Sequence, residues 1–335
     1  MKKIVFTLIS LTTLLIACNE QPKKETTTTE KQQTNTKNSP TYAELSIRAG
    51  KDWEPKKFGG GAFKNVDSLQ LPEGHSDHAY YIRYEGPGWE NSQVGYRLYL
   101  DWRNAIDIFG KKVDSIVLPY VGQDDYERYH HEAPWGQDIL KAGKSLGIGS
   151  FGRFMNDTVA HFKNVDKTVC YVKNDTGKST VSISYTGWHT GEVSTDLEAN
   201  LTIYPEDRFT KTEITSSEAF EGFCTGIVKF KDIPLKEKKS AKGTWGYIAT
   251  YGTQTLVSDT DKLGMAVFYK TAEVATTQEG PHDHLVIFKP FTNTITYYFT
   301  AAWEQELNGI TTEEDFYAYL DKKLETLDVT GALNK

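Results

Sequence analysis

The sequence predicts an all-β protein, built as a large antiparallel β-sandwich with few helices. Short segments rich in Val, Ile, Thr, Tyr and Phe dominate the chain, and Gly, Asp, Asn and Pro separate them. Helical periodicity is rare, and no internal repeat has the period of a propeller or a solenoid. Strands of this kind bury their apolar faces by packing one antiparallel sheet on another.

The first 17 residues are predicted to be a lipoprotein signal peptide. Lys2 and Lys3 precede an apolar stretch that is too short to cross a membrane as a helix. The stretch ends in LIAC at residues 15–18, which resembles a bacterial lipobox. We therefore expect a mature chain that starts at a lipidated Cys18. It would be lipid-anchored in the bacterial outer membrane, on the periplasmic or the surface-exposed side.

Residues 18–40 are predicted to be a disordered tether that includes the lipidated cysteine. They consist mainly of Thr, Lys, Gln, Asn and Glu and lack the apolar residues that a core requires. Residues 41–335 are expected to form a single β-sandwich domain. No second linker interrupts them, since the charge run KEKKSAK at 236–242 has only the length of a loop.

The net charge limits the classes of partner. The whole chain has a formal charge of −7 at pH 7, and removal of residues 1–17 with their two lysines would lower it to −9. Nucleic acid is not expected as a partner, because its binding requires a basic patch or a basic excess. An acidic ligand would require a local cluster of Arg and Lys.

Two cysteines remain besides Cys18. Cys170 and Cys224 both lie in apolar, strand-like surroundings, and an exported protein meets an environment that permits disulfides. A bridge and two buried thiols are both consistent with these surroundings. No cysteine spacing resembles a zinc site.

Two alternating segments indicate the first predicted hairpin. Alternate side chains of Tyr80–Glu85 and of Tyr96–Arg103 form one apolar and one polar face, which is typical of half-buried strands. The connection Gly86–Val94 is short enough for a hairpin. Pairing would gather these charged residues on one face: Arg83, Glu85, Arg97, Asp101 and Arg103. Such a face could bind an acidic, hydroxyl-rich ligand, or it could be a solvated face with cross-strand ion pairs.

The remaining elements are further strands and two helices. Thr311–Leu327 is predicted to be a helix, because apolar residues recur at helical spacing and Thr311 or Thr312 can cap its N terminus. Trp135–Lys144 could form two or three helical turns. The predicted strands are Ser115–Tyr120, Thr168–Lys173, Thr180–Trp188, Asp196–Tyr204, Phe209–Thr215, Phe223–Lys229, Trp245–Thr250, Met265–Tyr269, His284–Phe288 and Thr294–Thr300.

A second candidate region runs from Arg128 to Gly152 and is rich in glycine. Its chemically active residues are His130, His131, Asp138, Lys141 and Lys144. On a helix, Asp138 and Lys141 would share a face, as would Lys141 and Lys144. A histidine with lysines near a carboxylate can act as a general base, because neighbours and burial tune either group toward neutral pH. The alternative is a glycine-rich loop with a solvated lysine face.

Three further sites are candidates for ligand contact. His282 and His284 would share a face of a strand and could bind a divalent metal, although spacing assigns no third ligand. His189 follows a tryptophan at the end of a strand, where it could contact a sugar or pack into the protein. Trp89 lies between Gly88 and Glu90 in a predicted loop, and its ring could stack on a sugar.

Two motifs resemble those of a known family. They are EGPGWEN…YRLYLDWRNAIDIFGKK and YH…WGQDILKAGKSLGIG. The family consists of Bacteroidetes lipoproteins, long of unknown function, that accompany polysaccharide-degrading enzymes, and the similarity covers most of the mature chain. Its motif of Tyr-His, four residues, Trp-Gly, then Asp and Leu-Lys matches Tyr129, His130, Trp135, Gly136, Asp138, Leu140 and Lys141. The match favours His130 over His131.

The chain is also similar to the ulvan oligosaccharide dehydratase of marine bacteria. This resemblance implies a galactose-mutarotase-like β-sandwich and a lyase. We expect no cofactor, with a divalent metal near His282 and His284 as the alternative. The lyase would remove water from the non-reducing-end uronic acid of an acidic oligosaccharide and leave a 4,5-unsaturated residue. Such chemistry requires cations on the uronate carboxylate, a base for the C5 proton and an acid for the C4 hydroxyl.

Under this hypothesis each candidate residue has a role. Arg97 and Arg103 would hold the carboxylate, and Arg83 would contact a sulfate. His130 would be the base, oriented by Asp138, and Lys141 or Lys144 would act as the acid or as a second electrostatic group. A non-catalytic glycan-binding lipoprotein and a sugar epimerase or mutarotase are the alternatives.

Overall fold

The computed structural model describes residues 41–48, 61–123 and 128–333, where most of the regular structure is antiparallel strand. The predicted all-β fold with few helices is confirmed. The strands are β1 Thr41–Glu44, β2 Ser46–Arg48, β3 Phe63–Asn65, β4 Ser68–Gln70, β5 Gly88–Asn91, β6 Val94–Leu98, β7 Ile106–Lys111, β8 Gly136–Asp138, β9 Ile148–Met155, β10 Thr158–Ala160, β11 Val165–Asp175, β12 Lys178–Thr190, β13 Val193–Ile203, β14 Phe209–Ser216, β15 Phe223–Val228, β16 Lys236–Lys239, β17 Trp245–Thr253, β18 Lys262–Lys270, β19 Val274–Glu279, β20 Asp283–Phe288 and β21 Ile295–Trp303.

The largest sheet has nine strands in the order β16-β17-β18-β21-β14-β13-β12-β11-β4. Its middle strands alternate between buried and more exposed residues, as the pleat requires of strands with one face on a core. In β12, Val181, Ile183 and Tyr185 point into the main core. This sheet is one layer of the sandwich.

Two five-stranded sheets form the opposite layer. Their orders are β1-β5-β6-β7-β8 and β10-β9-β15-β20-β19. Trp89 and Tyr96 from the first and Phe223 and Phe288 from the second join the same core as Phe299 of the nine-stranded sheet. The main core therefore lies between the nine-stranded sheet and the two smaller sheets.

The single α-helix of the described residues, α1 (Glu313–Thr330), packs on the other face of the nine-stranded sheet. Thr312 caps it by accepting a hydrogen bond from the backbone N–H of Asp315 at 3.1 Å. Gly331 ends it in the left-handed conformation. The predicted helix Thr311–Leu327 is confirmed, and Thr312 is the capping threonine.

Nine of the ten further predicted strands lie within or largely overlap observed strands. Ser115–Tyr120 was the wrong prediction, because this segment ends in a 3₁₀ turn at Leu118–Tyr120 that contains Pro119. The helix predicted over Trp135–Lys144 is also wrong. Gly136 has φ +128 and packs so tightly on β7 that a Cβ there would overlap the carbonyl oxygen of Gly110. The segment therefore forms β8.

The first predicted hairpin is displaced along the chain. Arg83–Glu85 forms a 3₁₀ turn, and the observed hairpin joins β5 to β6. Tyr84 and Glu85 both have positive φ, at 40° and 67°. A strand over Tyr80–Glu85 is thus wrong, and the strand predicted over Tyr96–Arg103 ends at Leu98.

The chain divides into two units, and the unit Asn35–Lys335 contains all the described residues. The predicted signal peptide, Cys18 and the tether lie outside the described residues. Cys170 and Cys224 are free, buried thiols. In the described ranges no helix is both long and apolar enough to cross a membrane.

Candidate functional site

A buried ionic cluster lies around Arg97 where β6, β7 and β8 pair. Arg97 and Asp107 are directly opposite each other in register, and their side chains are 3.0 Å apart. The Arg97 guanidinium also lies 2.9 Å from Asp138 Oδ2 and donates to the hydroxyl oxygens of Tyr99 at 2.6 Å and Tyr129 at 2.9 Å. Its side chain is 0% exposed. We call these five residues the Arg97 cluster.

The Arg97 cluster combines two carboxylates with one guanidinium away from water. Burial, reinforced by the neighbouring charge of Asp138, raises the pKa of Asp107 to about 7. Burial also raises the pKa of Tyr129 to about 12, so its hydroxyl remains protonated at neutral pH. The cluster can therefore bind a proton at Asp107 near neutral pH.

His130 connects this cluster to the surface. It ends the 3₁₀ turn Arg128–His130, and its Nδ1 lies 2.9 Å from Asp138 Oδ2. The ring packs on Tyr129 with centroids 4.3 Å apart, and the side chain is 31% exposed. This is the geometry of a histidine oriented by a carboxylate.

A second ionic group, Glu85 with Asp101 and Arg103, lies beside the first. Arg103 Nη2 is 2.5 Å from both Glu85 Oε2 and Asp101 Oδ2. Its guanidinium lies 3.9 Å from the ring centroid of Tyr99, which joins the second group to the Arg97 cluster. The Arg103 side chain is 15% exposed, so this cation is closer to solvent than Arg97.

Arg83 is too deeply buried for the sulfate contact that was predicted for it. Its guanidinium pairs with Glu44 of β1, which also accepts a hydrogen bond from the Tyr84 hydroxyl at 2.5 Å. The Arg83 side chain is 0% exposed. It does not present a surface to a sulfate in this structure, and its contacts fix the turn that contains Tyr84.

Trp89 is a core residue, which corrects its prediction as a ligand contact in a loop. It lies in β5, is fully buried, and its indole N–H donates to Thr210 Oγ1 at 2.9 Å. The glycine before it belongs to a strand that pairs with both β1 and β6. The prediction of a loop at Trp89 was wrong because it relied on the neighbouring Gly88.

The lysines and His189 are at the surface. Lys141 and Lys144 are exposed on the turn after β8, not on a helix face. His161 lies beneath this turn, with Nδ1 2.8 Å from the carbonyl oxygen of Arg103 and a hydrogen bond to the backbone of Lys144. His189 is 45% exposed with Nε2 3.3 Å from Asp166 Oδ1.

The sequence reasoning missed Asp107, Tyr99 and Glu44 as members of these ionic groups. Asp107 carried a signal, because a charged residue inside the apolar run AIDIF is buried in a strand only when it is paired. Tyr99 lies on the polar face that the alternation of Tyr96–Arg103 predicts, but that pattern indicates no partner for its hydroxyl. Glu44 lies 39 residues before its partner Arg83, and nothing local indicates the contact.

The predicted metal alternative lacks a ligand set in the part of the chain that is described. There, no group of three or more His, Cys, Asp and Glu side chains could hold a metal ion. His282 is exposed, whereas His284 is buried on β20.

Comparison with known proteins identifies a family but no activity. The profile of the family described as "Domain of unknown function (DUF4861)" matches residues 12–330. No curated protein matches the chain. Among solved structures, a protein from the human microbiome assigned as a kojibiose phosphorylase is similar at a TM-score of 0.34 and 10% identity. The match covers 71% of this chain and 32% of that chain, so this chain spans about a third of that protein's length.

Proposed function

The chain belongs to the DUF4861 family, and we propose that it is a carbon–oxygen lyase acting by acid–base chemistry. Its substrate would be an acidic, ulvan-type oligosaccharide, from whose non-reducing-end uronic acid it removes water. One observation carries the proposal. The partly exposed His130 is held 2.9 Å from the buried carboxylate of Asp138, at the solvent side of the Arg97 cluster.

The proposed reaction moves one proton to the enzyme and one to the leaving group. His130 Nε2 takes the proton from C5 of the uronate, and the electrons of the C5–H bond form the C4=C5 double bond. The C4–O bond breaks, and the departing hydroxyl takes a proton from Lys141 or Lys144 and leaves as water. The imidazolium formed at His130 is stabilised by the negative charge of Asp138.

The role of Arg97 changes in this proposal from carboxylate binding to positioning. Its guanidinium is fully buried and already contacts two carboxylates and two tyrosines. Arg103, whose side chain is partly exposed, would instead face the uronate. Arg97 holds Asp138, and Asp138 holds His130, so Arg97 acts through the orientation of the base.

A direct assay tests the proposal. The protein is incubated with oligosaccharides that end in a uronic acid, and the ultraviolet absorbance of the unsaturated product is followed. The wild type should produce this absorbance together with the loss of one water per chain end. His130→Gln should lower the rate at least about a hundredfold, because general bases contribute factors of this size.

His131→Gln is the matched control, because its side chain is the exposed neighbour of His130. This variant should keep the wild-type rate within about twofold, since it loses no group that touches the reacting atoms. Binding of the oligosaccharide without absorbance change would support a non-catalytic glycan-binding protein instead. Full activity in His130→Gln would exclude His130 as the base.

A further inference from the structure

A cleft of about 450 Å³ lies apart from the Arg97 cluster, at the edge of the β10-β9-β15-β20-β19 sheet. One wall is the loop 229–235 between β15 and β16, and the other contains Glu279 and His284. Hydrogen bonds from Lys229 tie the walls together: its backbone N–H donates to the His282 carbonyl at 2.8 Å, and its ammonium donates to that of Gly280 at 2.9 Å. The cleft is thus a built feature of the fold, within the size range of ligand sites.

His284 lies at the base of this cleft with its hydrogen-bonding capacity unused. The side chain is only 3% exposed, and neither ring nitrogen has a hydrogen-bond partner among the described residues. The nearest carboxylate oxygen, of Glu279, is 3.9 Å from Nδ1. Buried polar atoms are nearly always paired in folded proteins. An imidazole left unpaired at a cleft wall therefore points to a bound group.

The position of His284 in β20 explains why its side chain lines the cleft. It shares a face of β20 with Val286 and Phe288, which belong to the main core. In register it lies between Ile227 of β15 and Glu279 of β19. At this end of the strand the core gives way to the cleft, and the buried ring has no hydrogen-bond partner among the described residues.

The lining defines the chemistry of an occupant. The loop wall combines a group of apolar residues, Phe230, Ile233, Pro234 and Leu235, with the charged residues Lys229, Lys231 and Asp232. Charges in the lining balance, because two lysines of the loop are matched by Asp232 and Glu279. Burial lowers the pKa of His284, so its imidazole is neutral and offers one donor and one acceptor.

We propose that this cleft binds one neutral pyranose unit. The apolar face of the sugar ring would lie on the loop wall, and two of its hydroxyls would donate to and accept from the nitrogens of His284. The inference uses none of the residues of the Arg97 cluster and does not rest on the lyase activity. The balanced charge argues against a site for a free anion. Within the described ranges no group of three or more His, Cys, Asp and Glu side chains could hold a metal ion, which argues against a metal site.

The test is nuclear magnetic resonance of the intact chain labelled with ¹⁵N-histidine. Methyl glucoside and methyl galactoside are titrated separately, and the ring nitrogens of His284 are assigned with His284→Phe. At least one glycoside should shift the His284 nitrogens saturably and leave those of His282 unchanged. Methyl glucuronide should bind no more tightly than the better neutral glycoside, because the lining carries no net charge.

Two variants and one control complete the experiment. His284→Phe should bind the glycoside about tenfold more weakly by calorimetry, yet unfold at the same or a higher temperature, since it removes only unpaired polar atoms. Ile233→Asn should weaken binding without altering His284 itself, and His282→Gln should bind normally. The proposal is overturned if neither glycoside moves the His284 signals, if Zn²⁺ or Mg²⁺ alone moves them, or if glucuronide binds tenfold more tightly.

Discussion

The nine-stranded sheet and the β1-β5-β6-β7-β8 sheet differ in whether their polar side chains face water or are buried. Over most of β12 and β13 every second residue is more exposed, and the polar side chains at these positions face water. In β5, β6, β7 and β8 every residue is buried, so both faces are covered. The same kind of alternation between polar and apolar residues therefore produces a solvated face in one sheet and a buried ionic cluster in the other. The buried version is the one beside His130.

Replacing Arg97 should have the largest effect. Arg97→Met leaves Asp107 and Asp138 buried without a cation, and the free energy of unfolding should fall by about 3–5 kcal/mol. The control is Lys211→Met on β14, which breaks a partly exposed pair with Glu213 and should cost at most about 1 kcal/mol. Chemical denaturation of both variants measures the difference. Equal losses would mean that the two polar faces are energetically alike.

The pH dependence of stability should show the next largest effect. The folded chain binds a proton at Asp107 below about pH 7, while the unfolded chain does so only near pH 4. The resulting stabilisation is fully present below about pH 4 and is lost as the pH rises through about 7. From about pH 8 to about pH 5.5 this group should therefore add about 2 kcal/mol to the free energy of unfolding.

Asp107→Asn should reduce that pH dependence, which denaturation at several pH values can measure. Asp283 and Glu306, whose pKa values burial also raises to about 7, keep their share of the slope in this variant. Glu198→Gln, on the exposed face of β13, is the control and should leave the slope unchanged. An unaltered slope in Asp107→Asn would show that Asp107 does not hold the proton.

The smallest expected effect is at the helix on the outer face of the nine-stranded sheet. Thr312→Ala removes the hydrogen bond to the Asp315 N–H and should lower the free energy of unfolding by about 1 kcal/mol. Thr311→Ala, one residue earlier, is the control and should be nearly neutral. If the two variants lost the same stability, the cap would not be Thr312.

The sequence predicted the elements that face water on one side. In β12 and β13 the period of two survives because solvent and core lie on opposite faces. The helix was predictable for a similar reason, since its cap and apolar stripe are local features. His130 and Asp138 also lie only eight positions apart, and their motif indicated both.

Elements held by distant contacts were not predictable in this way. Arg83 forms a buried ion pair with Glu44. The segment around Arg83 therefore forms a turn, although its alternating pattern predicted a strand. Arg97 meets Asp138 from 41 positions away, and burial of that contact turned a supposed ligand surface into an interior one. A local pattern such as AIDIF can indicate that a charged residue will be paired, but it does not identify the distant partner.

The turn at Tyr84 and Glu85 has a consequence for how the protein unfolds. Two successive non-glycine residues in the left-handed region are each held at a cost of about 1–3 kcal/mol. Their anchors are the Tyr84 hydroxyl on Glu44 and the Glu85 carboxylate under Arg103. Loss of either anchor would let this turn relax before the rest of the sandwich unfolds. The region beside Arg103 is therefore where partial opening of the fold should begin.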